Sequence, residues 1–197
     1  MYKVSHIAAE TGLKDYIRNY QDIDKFIVYC KQCDRYNACW SCPPFDFDTS
    51  EAISTYNTAY IIGTKVLLDS NVIKENTGWE RCTKITYHII EEIRRDLDKK
   101  LLSLEHAFPG SRAFFAGTCH ICPKDECNRI KGKPCVFPER IRPSLESFGF
   151  DMAKTAAELL NIEMKWSLNG ILPEYFTLVS GLFSTNNINI NRELIEN

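Results

Sequence analysis

Apolar residues recur at three- and four-residue steps from about Gly78 to Ala107, at Ile85, Ile89, Ile93, Leu97, Leu101 and Leu104. Glu91, Glu92, Arg94, Arg95, Asp98 and Lys99 fall mainly on the other faces. That periodicity predicts one long amphipathic helix with its charges turned to water, stopped by Pro109 and Gly110. Cys82 shares the apolar stripe with Ile85 and Ile89, so it reads as a small core residue.

Shorter patterns predict the remaining elements. Ser5 is placed to cap a helix carrying Ala8, Ala9, Leu13, Tyr16 and Ile17, with Gly12 as its weak point. Phe26 to Tyr29 is a compact β-prone run that leads into Cys30. Thr49 or Ser50 caps a short helix through Tyr56, and Tyr60 to Leu68 reads as a strand buried on both faces. Arg112 to Ala116 is a second strand leading into a cysteine loop. Pro143 suits the first turn of a short helix that Gly149 ends, and Asp151 caps a helix with Met152, Ala153, Ala156, Leu159 and Leu160 on its apolar face. Tyr175 to Phe183 is the last strand. The Asn-rich end, Thr185 to Asn197, is polar and expected to be loosely held.

This order predicts one α+β domain over residues 1–197: a mixed sheet of about four or five strands, packed helices and two cysteine-rich loops. The strand–helix–strand units keep α/β open as the alternative. A chain of 197 residues can bury a core without cysteine staples. Its net charge of −2 gives no reason to expect nucleic acid or an anionic membrane as partner. The N-terminus lacks the apolar run of a secretory signal and no later stretch is apolar for long enough to span a bilayer, so the expectation is a cytoplasmic protein.

In a reducing compartment clustered cysteines point to metal or redox chemistry rather than to disulfides. Eight of the nine cysteines form two quartets: Cys30, Cys33, Cys39 and Cys42 in the spacing C-x2-C-x5-C-x2-C-P, and Cys119, Cys122, Cys127 and Cys135 in the spacing C-x2-C-x4-C-x7-C. Each supplies four thiolates from local sequence. Two occupants fit that supply: a tetrahedral zinc, or an iron–sulfur cluster of the [4Fe–4S] type. The close succession of the ligands, and the prolines at Pro43, Pro44, Pro123 and Pro134, favour two iron–sulfur clusters over two zinc ions. Each quartet can close on itself, or the fourth cysteine of each run can serve the other cluster; both arrangements stay open.

Around the second loop Lys124, Arg129, Lys131, Lys133, Arg140 and Arg142 outnumber Asp125, Glu126 and Glu139, as an anionic occupant would favour. His120 stands between two expected ligands and suits a hydrogen bond to sulfur better than a place as a ligand. Arg142 and Glu146, four apart, read either as a polar clamp beside the second site or as a surface ion pair on one helix face. His6, His88 and His106 show no ligand spacing, and no phosphate-binding glycine loop or Ser-His-Asp arrangement is legible.

The combination of Cys30 with Cys33, Cys39-Trp40-Ser41-Cys42-Pro43-Pro44, the Cys119 to Cys135 loop, Pro138, and Arg142-Pro143-Ser144-Leu145-Glu146 with Gly149 and Asp151 resembles a cysteine-rich family of predicted metal-binding proteins. This is domain of unknown function 2284, found largely in anaerobic bacteria and archaea. The resemblance implies metal binding by the eight quartet cysteines and places Arg142, Pro143, Ser144, Glu146 and Gly149 on the family's second signature. Leu145 stands where the family often has methionine, and Phe150 where it often has isoleucine. Three functions follow as expectations: an iron–sulfur electron-transfer protein working with a redox partner or activating an anaerobic enzyme; a zinc-stabilised interaction module; and a cluster-dependent reductase.

Overall fold

The computed structural model describes residues 2–190, the Lys124 side chain excepted. Four strands, β1 (Tyr2–Gly12), β2 (Thr58–Leu68), β3 (Ser111–Phe114) and β4 (Tyr175–Ser184), form one sheet in the order β1-β2-β4-β3. Six helices accompany it: α1 (Leu13–Tyr20), α2 (Ile23–Lys31), α3 (Thr49–Ile53), α4 (Ser70–Glu75), α5 (Trp79–Ala107) and α6 (Met152–Leu159). The fold is α+β. Every pairing in the sheet is antiparallel, so the parallel option is not taken.

β2 is central and buried on both faces over most of its length, as apolar residues on both sides of the Gly63-Thr64-Lys65 break require. Successive side chains alternate between two cores. Ala59 and Ile61 join Leu13, Tyr16, Phe114, Phe148, Phe150 and Phe183 on the α1 and α6 side, whereas Tyr60 and Ile62 join Leu97, Leu101 and Leu104 of α5 on the other. The apolar stripe of α5 thus packs where its periodicity placed it. Cys82 is 1% exposed and gives its thiol proton to the carbonyls of Asn76 and Gly170, both at 3.0 Å.

Two N-terminal expectations are overturned. The segment read as a helix capped by Ser5 is strand β1, paired residue for residue with β2 from Tyr2–Leu68 to Gly12–Thr58. Eleven residues of ladder pair the backbone groups of β1 that face β2, which outweighs the weak helical spacing of Ala8 and Ala9; Leu13 and Tyr16 of that pattern belong to the helix that starts after Gly12. The β-prone run Phe26–Tyr29 is likewise inside α2, because the Asp22 carboxylate accepts from the Lys25 amide and caps a helix there. A helix end, not a strand, therefore delivers Cys30.

Further along, the short helix after Pro44 is capped by Asp48, whose carboxylate accepts from the Ser50 and Glu51 amides. Asp151 caps α6 as expected, accepting from the Lys154 amide at 2.9 Å. The tail is held as far as residue 190. The Tyr60 hydroxyl accepts from the Ile188 amide at 2.9 Å, and Ile188 and Ile190 pack on the α5 core; residues 191–197 lie outside the described ones.

Beneath the cysteine loops an aromatic cluster sets the frame. Phe114 meets Phe183 at 4.4 Å and Phe148 at 5.2 Å, while Tyr16 stacks on Phe150 at 4.5 Å. Pairs of this geometry add ~0.5–1.5 kcal/mol each beyond area burial. They fix the 3-10 turn Glu146–Phe148 against the sheet. Gly149 closes that turn at φ 82°, where a Cβ would lie 2.7 Å from the Ile23 Cα, so α2 docks on the turn through a position only glycine fills.

Candidate metal centre

The first loop begins in the last turn of α2. The Cys33 amide donates to the Cys30 carbonyl at 3.0 Å, and the exposed Cys33 sulfur receives the Arg35 amide at 3.5 Å. Burial pushes the Cys30 thiol up, and the neighbouring Cys33 and Glu146 add to this. The loop then turns back at Asn37, at φ 54°, whose amide donates to the Pro43 carbonyl at 2.8 Å. That return carries Cys39 inside, to 3% exposure.

The second loop leaves β3 through Phe115, whose amide donates to the Pro143 carbonyl, and Gly117, at φ 77°. It then runs through two 3-10 turns, Lys124–Glu126 and Asn128–Lys131, and wraps the first loop. Arg129 makes the clasp: its Nη1 donates to the carbonyls of Cys39 at 3.0 Å and Cys42 at 2.7 Å, its Nη2 to that of Pro44, and its guanidinium lies 5.0 Å from the Trp40 ring centre. The Trp40 indole N–H in turn donates to the Lys133 carbonyl at 3.0 Å. Arg129, expected as a general counter-charge, is spent on the backbone of the other loop.

Where the loops meet, Ser41 is the hub. Its hydroxyl accepts from the Cys119 amide at 3.0 Å and lies 3.3 Å from the Cys39 sulfur and 3.9 Å from the Cys42 sulfur. The Thr118 hydroxyl lies 3.0 Å from the Cys42 sulfur. Hydrogen bonding from the Cys119 and Cys42 thiols holds the Cys39 thiol far below its ordinary value, and the same contacts, with burial, push Cys42 and Cys119 up. Burial also pushes the Cys122 thiol up, and the nearby Cys127, Cys135 and Cys39 add to this.

Helix α5 supplies an anchor that the polar pattern concealed. Glu91, Arg94 and Asp98, read as solvent-facing, are 8%, 5% and 8% exposed. They lie at i, i+3 and i+7 on one stripe. Arg94 pairs with Glu91 at 2.8 Å and donates from Nη2 to the Thr118 carbonyl, one residue before Cys119. His120 sits between Glu91, 2.7 Å from Nδ1, and Asp98, 2.9 Å from Nε2. Both its nitrogens face carboxylates, so His120 ties the loop to α5. Ser41, Thr118, Glu91, Arg94 and Asp98 went unseen in the sequence, where only the i, i+3, i+7 spacing of the last three was available as a signal.

Arg142 pairs with Glu105, not Glu146: its Nε reaches Oε2 at 2.8 Å and its Nη2 reaches Oε1 at 2.5 Å, joining the end of α5 to the segment after the second loop. Glu146 instead turns inward. Its Oε2 is buried without a hydrogen-bond partner, and burial pushes its carboxyl up.

The structure therefore gathers Cys39, Cys42 and Cys119 around Ser41, sets Cys122 towards Cys127 and Cys135, and leaves Cys30 with Cys33 beside Glu146. Among the described residues no three His, Cys, Asp or Glu side chains stand in a ready-made metal-holding group. The fit to a metal rests on donor chemistry: thiols drawn together in two interlocked loops, the imidazole between them spent on carboxylates, and a set of soft ligands that selects zinc or iron–sulfur. Backbone amides already point at two sulfurs, from Arg35 to Cys33 and from Phe137 to Cys135 at 3.4 Å. A cleft of about 650 Å³ lined by Trp40, Phe45, Phe47, Pro134 and Cys135 opens beside the second loop.

Among the described residues no helix is long and apolar enough to cross a membrane. No curated protein and no solved structure matches the chain. The family described as "Predicted metal-binding protein (DUF2284)" matches residues 17–183, a span that contains both cysteine loops, the phenylalanines of the aromatic frame under them and the whole of α5. Over most of its length, and with every cysteine of the two loops inside the match, the chain belongs to that family of predicted metal-binding proteins.

Proposed function

We propose that the protein is an iron–sulfur protein that holds two clusters, of the [4Fe–4S] type, on its eight loop cysteines and passes electrons to or from a partner enzyme. The observation that carries this reading is the interlocking of two all-thiol loops at Ser41, with both nitrogens of His120, the histidine between them, turned to carboxylates. When bound, such clusters supply one-electron transfer. The chain's own residues would tune them: amide donors to Cys33 and Cys135 spread negative charge off sulfur and raise the reduction potential. The exposed Cys33 side gives a partner a route to the thiols. The resemblance to a family of anaerobes suits an oxygen-sensitive group serving an anaerobic enzyme.

Zinc is the second reading, favoured by the two C-x2-C pairs of the first loop. Anaerobic purification followed by metal and acid-labile sulfide analysis separates the two. Two clusters require about eight irons and eight sulfides per chain, with a brown absorption that dithionite bleaches. Colourless protein with stoichiometric zinc overturns the redox reading.

A further inference from the structure

In the sequence the eight thiols fall into two runs of four, which invites one metal site per run. The folded chain groups them differently. Cys119, the first cysteine of the second run, has its amide on the Ser41 hydroxyl, and that oxygen also lies against the sulfurs of Cys39 and Cys42. The residue before it, Thr118, places its hydroxyl on the Cys42 sulfur. Arg129 of the second run holds the carbonyls of Cys39 and Cys42 themselves. The Cys119–Ser41, Thr118–Cys42 and Arg129 contacts each join one loop to the other, and the Ser41 hydroxyl carries the link on to both sulfurs of its own loop.

The same division shows in burial. Cys39 is enclosed, whereas Cys33 of its own run is exposed and sits with Cys30 at the end of α2. α2 is held by other contacts, the Asp22 amide on the Gly149 carbonyl at 2.8 Å and the Gln21 amide nitrogen on the Phe148 carbonyl at 2.8 Å, which tie it to the Glu146–Phe148 turn.

We infer that Cys39, Cys42 and Cys119 serve one metal centre built across the two loops, so the runs of the sequence are not its ligand sets. The inference rests on the metal-binding reading above. It has a structural consequence: neither loop can complete a site until β3 and α2 are both docked, since each brings one loop. Metal loading and closure of the fold are then one event.

Double variants test the grouping on the full chain, reconstituted anaerobically with ferrous iron and sulfide. Bound iron and visible absorption are read for wild type, C42S, C119S, the C42S/C119S double, and the C119S/C135S double. Two cysteines of one centre remove the same cluster, so C42S, C119S and their double should each lose about half of the bound iron. A C42S/C119S double that loses about twice as much as either single variant, with C119S/C135S losing no more than C119S, overturns the inference. A second measurement needs neither metal nor substitution. Metal-free wild type is oxidised with diamide, which takes up the two electrons and two protons released per disulfide, and the bonds are mapped by peptide mass spectrometry. A Cys119 bond to Cys39 or Cys42 supports the grouping, and bonds from Cys119 only to Cys122, Cys127 or Cys135 overturn it. Wild type that takes up no iron sinks the cluster reading alone, and the disulfide map then decides the inference.

Discussion

The Ser41 hydroxyl accepts the Cys119 amide proton at 3.0 Å across a separation of 78 residues, and that one hydrogen bond ties the innermost points of the two cysteine loops. Ser41 is 3% exposed, so no water stands ready to replace it. Replacing Ser41 by Ala should lower stability by about 1–3 kcal/mol, the cost of a buried donor left unpaired. Alkylation of Cys119 by a maleimide in the metal-free protein should also become faster. An unchanged alkylation rate would show that the bond does not hold the loops together.

Arg94 is buried with its charge shared between Glu91 and the Thr118 carbonyl. Arg94→Met keeps the stem and removes the cation, leaving Glu91 and His120 to settle an uncompensated charge. The expected loss is on the order of 3–5 kcal/mol, read from denaturant unfolding. Combining it with Glu91→Gln should recover part of that loss, because the stranded carboxylate is gone.

Glu105 gives a stability that depends on pH. Burial alone would raise its carboxyl, but the Arg142 guanidinium and the Ala113 amide outweigh it and hold the carboxyl below its usual range. A group depressed in the folded state stabilises fully above its unfolded value, about 4.3 for Glu. The contribution is lost as pH falls through the lower folded value. Wild type should therefore lose more stability on acidification than Glu105→Gln, and the two unfolding curves should converge at the acid end.

Gly149 holds α2 at contact distance from the Glu146–Phe148 turn. Gly149→Ala introduces a Cβ against Ile23 backbone in a left-handed position, a strain of roughly 1–3 kcal/mol. The expected outcome is a lower thermal midpoint together with faster alkylation of Cys30, which α2 carries. A change in stability without a change at Cys30 would separate the helix from the site.

Cys82 lies among Ile89, Ile93 and Leu172, away from the two loops. Cys82→Ser keeps a donor to the Asn76 and Gly170 carbonyls and should leave metal content at the wild-type level, while Cys39→Ser depletes it. Metal loss from the Cys82 variant would place it in the site.

The long helix, the central strand β2, strand β4, the Asp151 cap and the cysteine partition into two loops were legible in the sequence. Each is written in local information: a 3.6-residue stripe, a strand-length segment rich in apolar residues, a capping carboxylate, or a donor type that little else explains. The edge strand β1 was not, because its pattern is weak and its pairing with β2, far along the chain, decided it; in α2 the β-prone run Phe26–Tyr29 masked the local Asp22 cap, and docking on the Glu146–Gly149 turn adds contacts that local spacing does not show. The same holds for the site. Sequence alone named the eight thiols and their company of cations. Only the tertiary structure could bring Cys119 to Ser41, bury Glu91, Arg94 and Asp98 beneath His120, and send Arg142 to Glu105, because those contacts join positions 22 to 78 residues apart and nothing in local spacing encodes which distant groups will meet.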